Sequence, residues 1–256
     1  MSRLPVAISI PHGGTAIPAE LDGRLCISPC DILHDADPFA VQLYDLGDRV
    51  SRVIKTETAR TFVDLNRSLH DLPPDHPDGM IKTSTFHGRP IYLEGMEPDE
   101  GVQRRLMELY YMPYHRAIQR SMMELDLQLC LDCHTMEAIA PKISPDATGK
   151  KRPVFCLSNK DGRTSSSEMI ELLASCMAES YGIDSTQISI NNPFHGGHIT
   201  TTYGNNPVPW IQVEMNRNLY LTEPWFDAES LSMDHTRLQD LNKQFSDALN
   251  IFFARI

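Results

Sequence analysis

The sequence predicts an α/β fold, with a mixed, mostly parallel twisted sheet and helices on both faces. Short apolar runs typical of buried strands alternate along the chain with longer segments whose apolar residues recur at helical spacing. Such alternation is typical of parallel sheets, in which helices connect successive strands. The 256 residues can form one large core, and no change in composition marks a domain boundary. A single domain over residues 1–256 is therefore expected.

The individual elements follow from these patterns. Strands are predicted at residues 5–10, 52–56, 61–65, 90–93, 127–133, 154–157, 188–190 and 210–213. Helices are predicted at residues 38–46, 97–125, 165–181 and 231–254. Asp99 is a candidate cap for the second of these helices, and Pro113 predicts a kink or a break within it. Residues 68–89, rich in Pro, His, Asp and Gly, are predicted to form a long loop of a kind that often carries function.

Composition and charge argue against several classes of protein. The formal net charge of −11 is the wrong sign for a large nucleic-acid-binding surface. No apolar run is long enough to span a bilayer, and the N-terminus lacks the apolar stretch of a signal peptide. A cytoplasmic protein with six reduced cysteines is expected, and its number of subunits is left open.

Polar residues stand where four of the predicted strands end. His12, His134 and Glu214 follow three of the apolar runs, and Asn66 with Arg67 follow a fourth. In open α/β sheets, ligands bind outside the carboxyl ends of the strands. These residues are therefore expected to share one site.

The residue types at these strand ends are those of a zinc hydrolase. Catalytic zinc sites commonly use two histidines and one carboxylate, and they keep a position open for water. His12 and His134 are the candidate imidazole ligands. Asp37 is the candidate third ligand, with Asp35 in reserve. Since Asp37 directly precedes Pro38, it could instead cap the following helix.

Two further carboxylates have candidate roles beside the metal. Asp132, two residues before His134 on the same strand face, could orient a ligating imidazole. Glu214 is a candidate general base, because an ionisable group at the end of a buried strand is costly unless it is paired or functional. The alternative for Glu214 is a salt bridge with Arg217.

The segment Cys130-Leu-Asp-Cys133-His134 allows a rival interpretation. It matches the pattern of covalent haem attachment and could also indicate a redox pair. Residues three apart in a strand point to opposite faces, however, and the sequence shows no export signal. Haem is therefore disfavoured.

Arginine and glycine motifs indicate a substrate pocket. Arg60 and Arg67 enclose an apolar run, which favours a buried role in carboxylate or oxyanion binding over a surface ion pair. Asn66 could share substrate binding. Residues 192–204 contain a glycine pair and two histidines, and are interpreted as a loop that covers the pocket with main-chain donors. A plain surface loop is the alternative.

Together these motifs resemble the N-formylglutamate amidohydrolase (deformylase) family, from the first strand to about residue 220. The motifs that carry the resemblance are Ser9-Ile-Pro-His-Gly13, Asp35-Ala-Asp37, Leu43-Tyr-Asp45, Arg60-Thr-Phe-Val-Asp-Leu-Asn-Arg67, Pro113-Tyr-His115, Asp132-Cys-His-Thr135, Phe194-His-Gly-Gly197, Tyr203-Gly204 and Gln212-Val-Glu214. That family is similar to zinc carboxypeptidases and aspartoacylases in its phosphorylase/hydrolase-like α/β fold.

The resemblance implies one zinc ion, a base, an arginine near the scissile carbonyl oxygen, and side chains near a substrate carboxylate. With the residues argued above, the predicted site comprises the metal ligands His12, Asp37 and His134, the catalytic residues Glu214 and Arg60, and the substrate-binding residues Asn66, Arg67, His195, Gly196, Gly197 and Tyr203. Three positions depart from the related patterns. Thr15 stands where zinc exopeptidases carry glutamate, Pro38 where the family often has an aromatic residue, and His195 where lysine is common.

The expected activity is hydrolysis of the amide bond of a small carboxylate-bearing substrate. N-formyl-L-glutamate, giving formate and glutamate, is the leading candidate. A metallo-carboxypeptidase or another N-acyl amino acid hydrolase would use the same site. A binding protein for an acidic ligand, with an inactive site, is the alternative outside enzymes.

Overall fold

The structure, a computed structural model, describes residues 3–141, 146 and 149–256. Its central sheet consists of β1 Leu4–Ile10, β2 Val50–Lys55, β3 Leu129–Met136, β4 Phe155–Ser158, β5 Ile188–Ile190 and β6 Trp210–Asn216, in the order β2-β1-β3-β6-β4-β5. The first four strands in this order are parallel, whereas β4 runs antiparallel to β6 and parallel to β5. The prediction of a mixed, mostly parallel sheet is confirmed. A separate antiparallel pair is formed by β7 Phe226–Asp227 and β8 Ser232–Met233.

Helices cover both faces of the sheet, as predicted. The α-helices of the described residues are α1 Pro29–Asp35, α2 Ala40–Tyr44, α3 Glu100–Leu106, α4 Met112–Glu124, α5 Ser167–Tyr181, α6 His198–Tyr203 and α7 His235–Phe253. Because side chains alternate along a strand, Ile8 and Leu131 join one apolar core with α2, α5 and α7. Ala7 and Cys130 join a second core with α1, α4 and α6. In the described part of the chain, no helix is both long and apolar enough to cross a membrane.

The helical segment predicted at residues 97–125 is interrupted near Pro113. The carboxylate of Asp99 accepts a hydrogen bond of 3.0 Å from the Val102 N–H and so caps α3. A π-helical turn, Met107–Tyr111, then separates α3 from α4. Proline has no N–H, and its ring crowds the carbonyl four residues back. The wider π turn accommodates this proline without ending the helix.

Residues 61–65 are predicted as a strand but form turns, and that prediction is wrong. Phe62, Val63 and Leu65 are buried in the second core, as their apolar character requires. The N–H groups of Phe62 and Val63, however, bond to the carbonyl of Ala59 instead of a neighbouring strand. An apolar run indicates burial, but it does not by itself indicate pairing in a sheet.

Two further elements are shorter than predicted. The helix predicted at residues 38–46 is limited to α2, because Phe39 adopts a left-handed φ of 60°. Residues 90–93 form isolated bridges, such as Leu25 to Tyr92, in place of a strand.

Parallel neighbours bring the predicted site residues together at one end of the sheet. β1 ends at Ile10, two residues before His12. β3 and β6 extend beyond their predicted ends, so that His134 and Glu214 lie within them and are paired in register.

Candidate metal centre and active site

His12, Asp37 and His134 converge at the carboxyl ends of β1 and β3. The Nδ1 atoms of the two histidines are 3.1 Å apart. Asp37 Oδ2 lies 3.1 Å from His134 Nδ1 and 3.6 Å from His12 Nδ1. All three residues are buried. Their ligand atoms lie within 4.8 Å of one another, close enough to hold one metal ion.

The loop after β1 positions two of these ligands. The Asp37 N–H donates a hydrogen bond of 3.0 Å to the His12 carbonyl. Gly14 lets the loop lie directly against the chain at Glu57, because a Cβ on Gly14 would be 2.3 Å from the Glu57 carbonyl carbon. The N-cap of α2 is Phe39, so Asp37 does not cap that helix.

Asp35, the reserve candidate ligand, lines the same cavity but is not part of the group of three converging side chains. Its two carboxylate oxygens accept hydrogen bonds of 3.1 and 2.9 Å from the Lys82 ammonium, and both side chains are fully buried. The burial of Asp35 would raise its pKa, but Lys82 and Arg60 outweigh burial and lower it. Asp35 is thus committed to an ion pair, whereas Asp37 faces the two histidines.

A carboxylate holds the Nε2 atom of each imidazole. Asp64 Oδ1 lies 2.8 Å from His12 Nε2, and Asp132 Oδ2 lies 3.2 Å from His134 Nε2. Because a carboxylate only accepts, it favours a proton on Nε2 and a lone pair on Nδ1. Metal-bound histidines usually have such a partner behind them. Two Nδ1 lone pairs and a carboxylate oxygen repel one another unless a proton or a metal ion lies between them, so the donor set fits zinc.

Asp37 and His134 shift each other's pKa values. Burial would raise the pKa of Asp37, but hydrogen bonds with His12 and His134 outweigh burial and hold it well below its usual range. Burial would lower the pKa of His134, but Asp132 and Asp37 outweigh it and raise the pKa well above its usual range. A proton on His134 Nδ1 would occupy the place of a metal, and metal binding would release it.

Asp64 is a residue of the site for which the sequence predicted no role. Its Oδ1 also accepts from the Asn66 N–H at 2.9 Å, and its Oδ2 accepts from Arg60 Nη2 at 2.7 Å. Burial would raise the pKa of Asp64, but Arg60 and His12 hold it well below its usual range. The Arg60 side chain is 16% exposed, so this pair is not a surface ion pair. The available signal was a charged residue inside the apolar run at 61–65.

Glu214 is buried on β6, next to the strand that carries His134. Gln212 Nε2 donates a hydrogen bond of 2.8 Å to Glu214 Oε1, and burial raises the pKa of Glu214 to about 7. Within the residues described, Arg217 forms no ion pair with Glu214. Its Nη2 donates instead to Asp37 Oδ1 at 3.1 Å and to the Ala36 carbonyl at 2.7 Å. Arg217 therefore fixes one oxygen of Asp37 and leaves the other directed at the histidines.

Asn66 and Arg67 also lie at the site, and both already have partners. Asn66 Oδ1 accepts from the Ile199 N–H at 2.7 Å, and its Nδ2 lies 3.2 Å from His134 Nε2. The Ile199 N–H thus fixes the Asn66 amide at the first turn of α6, next to the His134 imidazole. Arg67 donates from Nη2 to Asp78 Oδ2 and from Nε to the Asp78 carbonyl, at 2.9 Å each.

The glycine-containing loop reaches the site, whereas Tyr203 does not. Residues 195–197 line the cavity, and the Gly197 N–H donates to Gln212 Oε1 at 2.5 Å. Tyr203 lies at the last turn of α6, where its hydroxyl is 2.8 Å from His115 Nδ1, and it lines a separate cavity. The glycine motif in the sequence does not indicate that α6 places Tyr203 outside the site.

A cavity of about 370 Å³ contains these groups. Its walls carry the candidate metal ligands, Glu214, Arg60, Asn66, Arg67 and the glycine loop. The volume suits a small molecule, and the arginines suit carboxylates. Three converging side chains that could hold a metal ion, a buried carboxylate with a raised pKa and nearby arginines are the groups that metal-assisted hydrolysis needs.

Comparison with known proteins identifies the family of this chain. The model of the N-formylglutamate amidohydrolase family matches residues 4–221. The N-formylglutamate deformylase of Pseudomonas putida is 31% identical over 241 residues, covering 90% of this chain and 87% of that protein. The N-formylglutamate deformylase of Pseudomonas aeruginosa is 29% identical over 230 residues, covering 86% of this chain and 84% of that protein.

Solved structures show the same fold. The crystal structure of N-formylglutamate amidohydrolase from Ralstonia eutropha JMP134 has a TM-score of 0.82 at 21% identity, covering 100% of this chain and 96% of that chain. A protein of Agrobacterium tumefaciens has a TM-score of 0.66 at 15% identity, covering 99% of this chain and 91% of that chain. With the family match over most of its length, this chain belongs to the N-formylglutamate amidohydrolase family.

Proposed function

We propose that this protein is a zinc-dependent amidohydrolase that cleaves N-formyl-L-glutamate into formate and glutamate. The observation that carries the proposal is the convergence of His12, Asp37 and His134, with a carboxylate behind each imidazole. The choice of substrate is supported by the two Pseudomonas relatives, which are named N-formylglutamate deformylase.

The three converging side chains are the proposed zinc ligands. His12 and His134 would bind through Nδ1, and Asp37 through Oδ2. A zinc ion held there would supply a Lewis acid that acidifies water and polarises the amide carbonyl. Arg217 contributes by keeping Asp37 Oδ1 occupied, so that the carboxylate offers one oxygen.

Glu214 is the proposed general base. With a pKa near 7, its carboxylate can both accept and release a proton at neutral pH. In the reaction, the water oxygen bonds to the formyl carbon and the carbon–nitrogen bond breaks. Glu214 takes a proton from the water and passes it to the leaving nitrogen. Gln212 orients the carboxylate through the hydrogen bond to Oε1.

The arginines are proposed to bind charge on the substrate. Arg60 Nε is buried and has no hydrogen-bond partner within the described residues, and such a donor is costly unless a ligand uses it. Arg60 would stabilise the negative charge that develops on the carbonyl oxygen. Arg67 would bind a substrate carboxylate. Direct contact between Asn66 and the substrate stays a prediction.

Replacement of the base tests this proposal. Glu214→Gln removes the proton acceptor and is expected to reduce formate release from N-formyl-L-glutamate by about 100- to 10,000-fold. Glu137→Gln is the matched control, because Glu137 lines the same cavity and loses the same charge. That variant is expected to keep activity. Zinc content, measured by elemental analysis, should match the wild type in both variants.

The choice of substrate has its own test. Purified protein loaded with zinc is assayed with N-formyl-L-glutamate, N-acetyl-L-glutamate and peptides with a free C-terminus. Preferred turnover of the formyl compound is expected. Turnover of the peptides alone would indicate a metallo-carboxypeptidase. Metal-independent binding without turnover would indicate an inactive binding protein.

A further inference from the structure

The loop at residues 68–89 contains a buried lysine that the proposed mechanism does not use. The Lys82 side chain has no exposed surface. Its ammonium donates to both oxygens of Asp35, at 3.1 and 2.9 Å, and lies 3.2 Å from Asp78 Oδ1. An ammonium has three N–H groups, and two carboxylates can satisfy all of them. A buried cation is tolerated only with such partners, so the position of Lys82 is closely defined.

Asp78 connects this lysine to the substrate cavity. One of its carboxylate oxygens faces Lys82, and the other accepts from Arg67 Nη2 at 2.9 Å. The Asp78 carbonyl accepts from Arg67 Nε, also at 2.9 Å. Asp78 therefore binds one edge of the guanidinium. Nη1 of Arg67 carries two N–H groups and donates one long hydrogen bond, of 3.5 Å, to the Asn66 carbonyl. A second N–H on Nη1 therefore remains for a ligand in the cavity that Arg67 lines.

The backbone around Asp78 is packed tightly. A Cβ on Gly79 would lie 2.0 Å from the Asp71 carbonyl oxygen, so only glycine fits there. Met80 and Ile81 are fully buried in the second core. The Met80 N–H donates to Asp71 at 2.7 Å, and the Met80 carbonyl accepts from Asp64 at 2.8 Å. The loop therefore holds Asp78 in a fixed place relative to the metal-binding segment.

We infer that Asp78, held in place by Lys82, is a positioning residue that presents Arg67 to one carboxylate of the substrate. This inference rests on the proposed function, in which Arg67 binds a substrate carboxylate. The chain of alternating charges, Asp35, Lys82, Asp78 and Arg67, gives the guanidinium one orientation before substrate enters. Preorganisation of this kind favours binding of a group that matches the remaining edge.

Asp78→Asn is the variant that tests the inference. An asparagine has one acceptor oxygen, so it must turn its NH₂ group toward either Lys82 or Arg67. Because the Asp78 side chain is 51% exposed, the fold should tolerate the change. KM for N-formyl-L-glutamate is expected to rise about tenfold, with kcat within about twofold of wild type. Asp75→Asn removes the same charge from an exposed position of the same loop and should leave both constants unchanged.

Substrates that lack one carboxylate test which carboxylate Arg67 binds. N-formyl-L-glutamine lacks the side-chain carboxylate, and N-formyl-L-isoglutamine lacks the α-carboxylate. Each is measured as a substrate where it is turned over, and otherwise as a competitive inhibitor. The effect of Asp78→Asn should disappear with one of these compounds and persist with the other.

Three results would overturn the inference. They are equal KM values for the Asp78 and Asp75 variants, a fall in kcat without a change in KM, and an equal penalty with both mono-amides. Each of these leaves wild-type turnover intact. Failure of the proposed function is a different result, namely a wild-type protein that does not release formate at all.

Discussion

Asp64→Asn is the substitution that most directly probes how the metal centre is built. The asparagine matches aspartate in shape but replaces one acceptor oxygen with an NH₂ group. Asp64 Oδ1 accepts from both His12 Nε2 and the Asn66 N–H, whereas Arg60 Nη2 donates to Oδ2. The asparagine oxygen is therefore expected to keep the Oδ1 position and to turn its NH₂ group toward the guanidinium.

The magnitudes follow from these contacts. Arg60 would lose its charged partner in a buried position, which costs about 3–5 kcal/mol in comparable ion pairs. His12 would keep a hydrogen bond at Nε2, but to a neutral amide oxygen in place of a charged carboxylate. Loss of such a partner typically weakens metal binding roughly 10- to 100-fold. That change corresponds to about 1.4–2.8 kcal/mol of binding free energy.

Two measurements separate the loss of protein stability from the loss of zinc affinity. Urea unfolding of the metal-free protein reports the loss of stability without a contribution from bound metal. Competition with a chromophoric chelator reports the dissociation constant for zinc. Asp161→Asn is the control, since that exposed carboxylate lies 3.9 Å from an exposed histidine, His195. A folded Asp64→Asn protein whose zinc dissociation constant stays within about threefold of wild type would refute the reasoning.

Two further predictions concern stability. Lys82→Met leaves Asp35 buried without its cation and should lower the free energy of unfolding by about 3–5 kcal/mol. Lys55→Met, which removes a half-exposed pair with Asp45, should change it by less than about 1 kcal/mol, and equal effects in urea unfolding would contradict this. Burial lowers the pKa of His115 to about 4, whereas the unfolded chain titrates near 6.5, so the unfolded chain binds more protons between these values. The contribution of neutral His115 is therefore complete above pH 6.5 and is lost as the pH falls toward 4, by up to about 3 kcal/mol. Between pH 6.5 and 4, the free energy of unfolding should fall more steeply in wild type than in His115→Gln. An equal dependence on pH in the two proteins would contradict this prediction.

The parts of the site that could be predicted have local signals. His12 and His134 stand directly after or inside apolar runs, and the runs form neighbouring parallel strands. The carboxyl ends of such strands meet at one edge, so a polar residue at each end is enough to predict that the side chains converge. Asp132 was predictable as the support of His134 for the same reason, because residues two apart share a strand face.

The parts that could not be predicted depend on packing between distant segments. The apolar run at residues 61–65 resembles a strand in composition, yet its backbone turns and carries Asp64 to a histidine 52 positions earlier. Tyr203 belongs to a glycine-rich motif that does reach the cavity, but it lies at the far end of α6, where its hydroxyl contacts His115. The spacing of apolar residues and the local composition indicate which residues are buried. They do not indicate which buried segments pack against each other.

The two aspartates of the Asp35-Ala-Asp37 motif illustrate the same limit. From the sequence they are near-equivalent acids beside the same helix, and either could bind a metal. In the structure, Lys82, 47 positions after Asp35, forms an ion pair with it. Arg217, 180 positions after Asp37, donates a hydrogen bond to one of its oxygens. Both oxygens of Asp35 accept from a buried ammonium, and Oδ1 also accepts from the Phe86 N–H, so this carboxylate is already engaged in an ion pair. The Arg217 contact, by contrast, occupies Oδ1 of Asp37 and leaves Oδ2 facing two imidazoles, so the cations of distant segments distinguish the two acids.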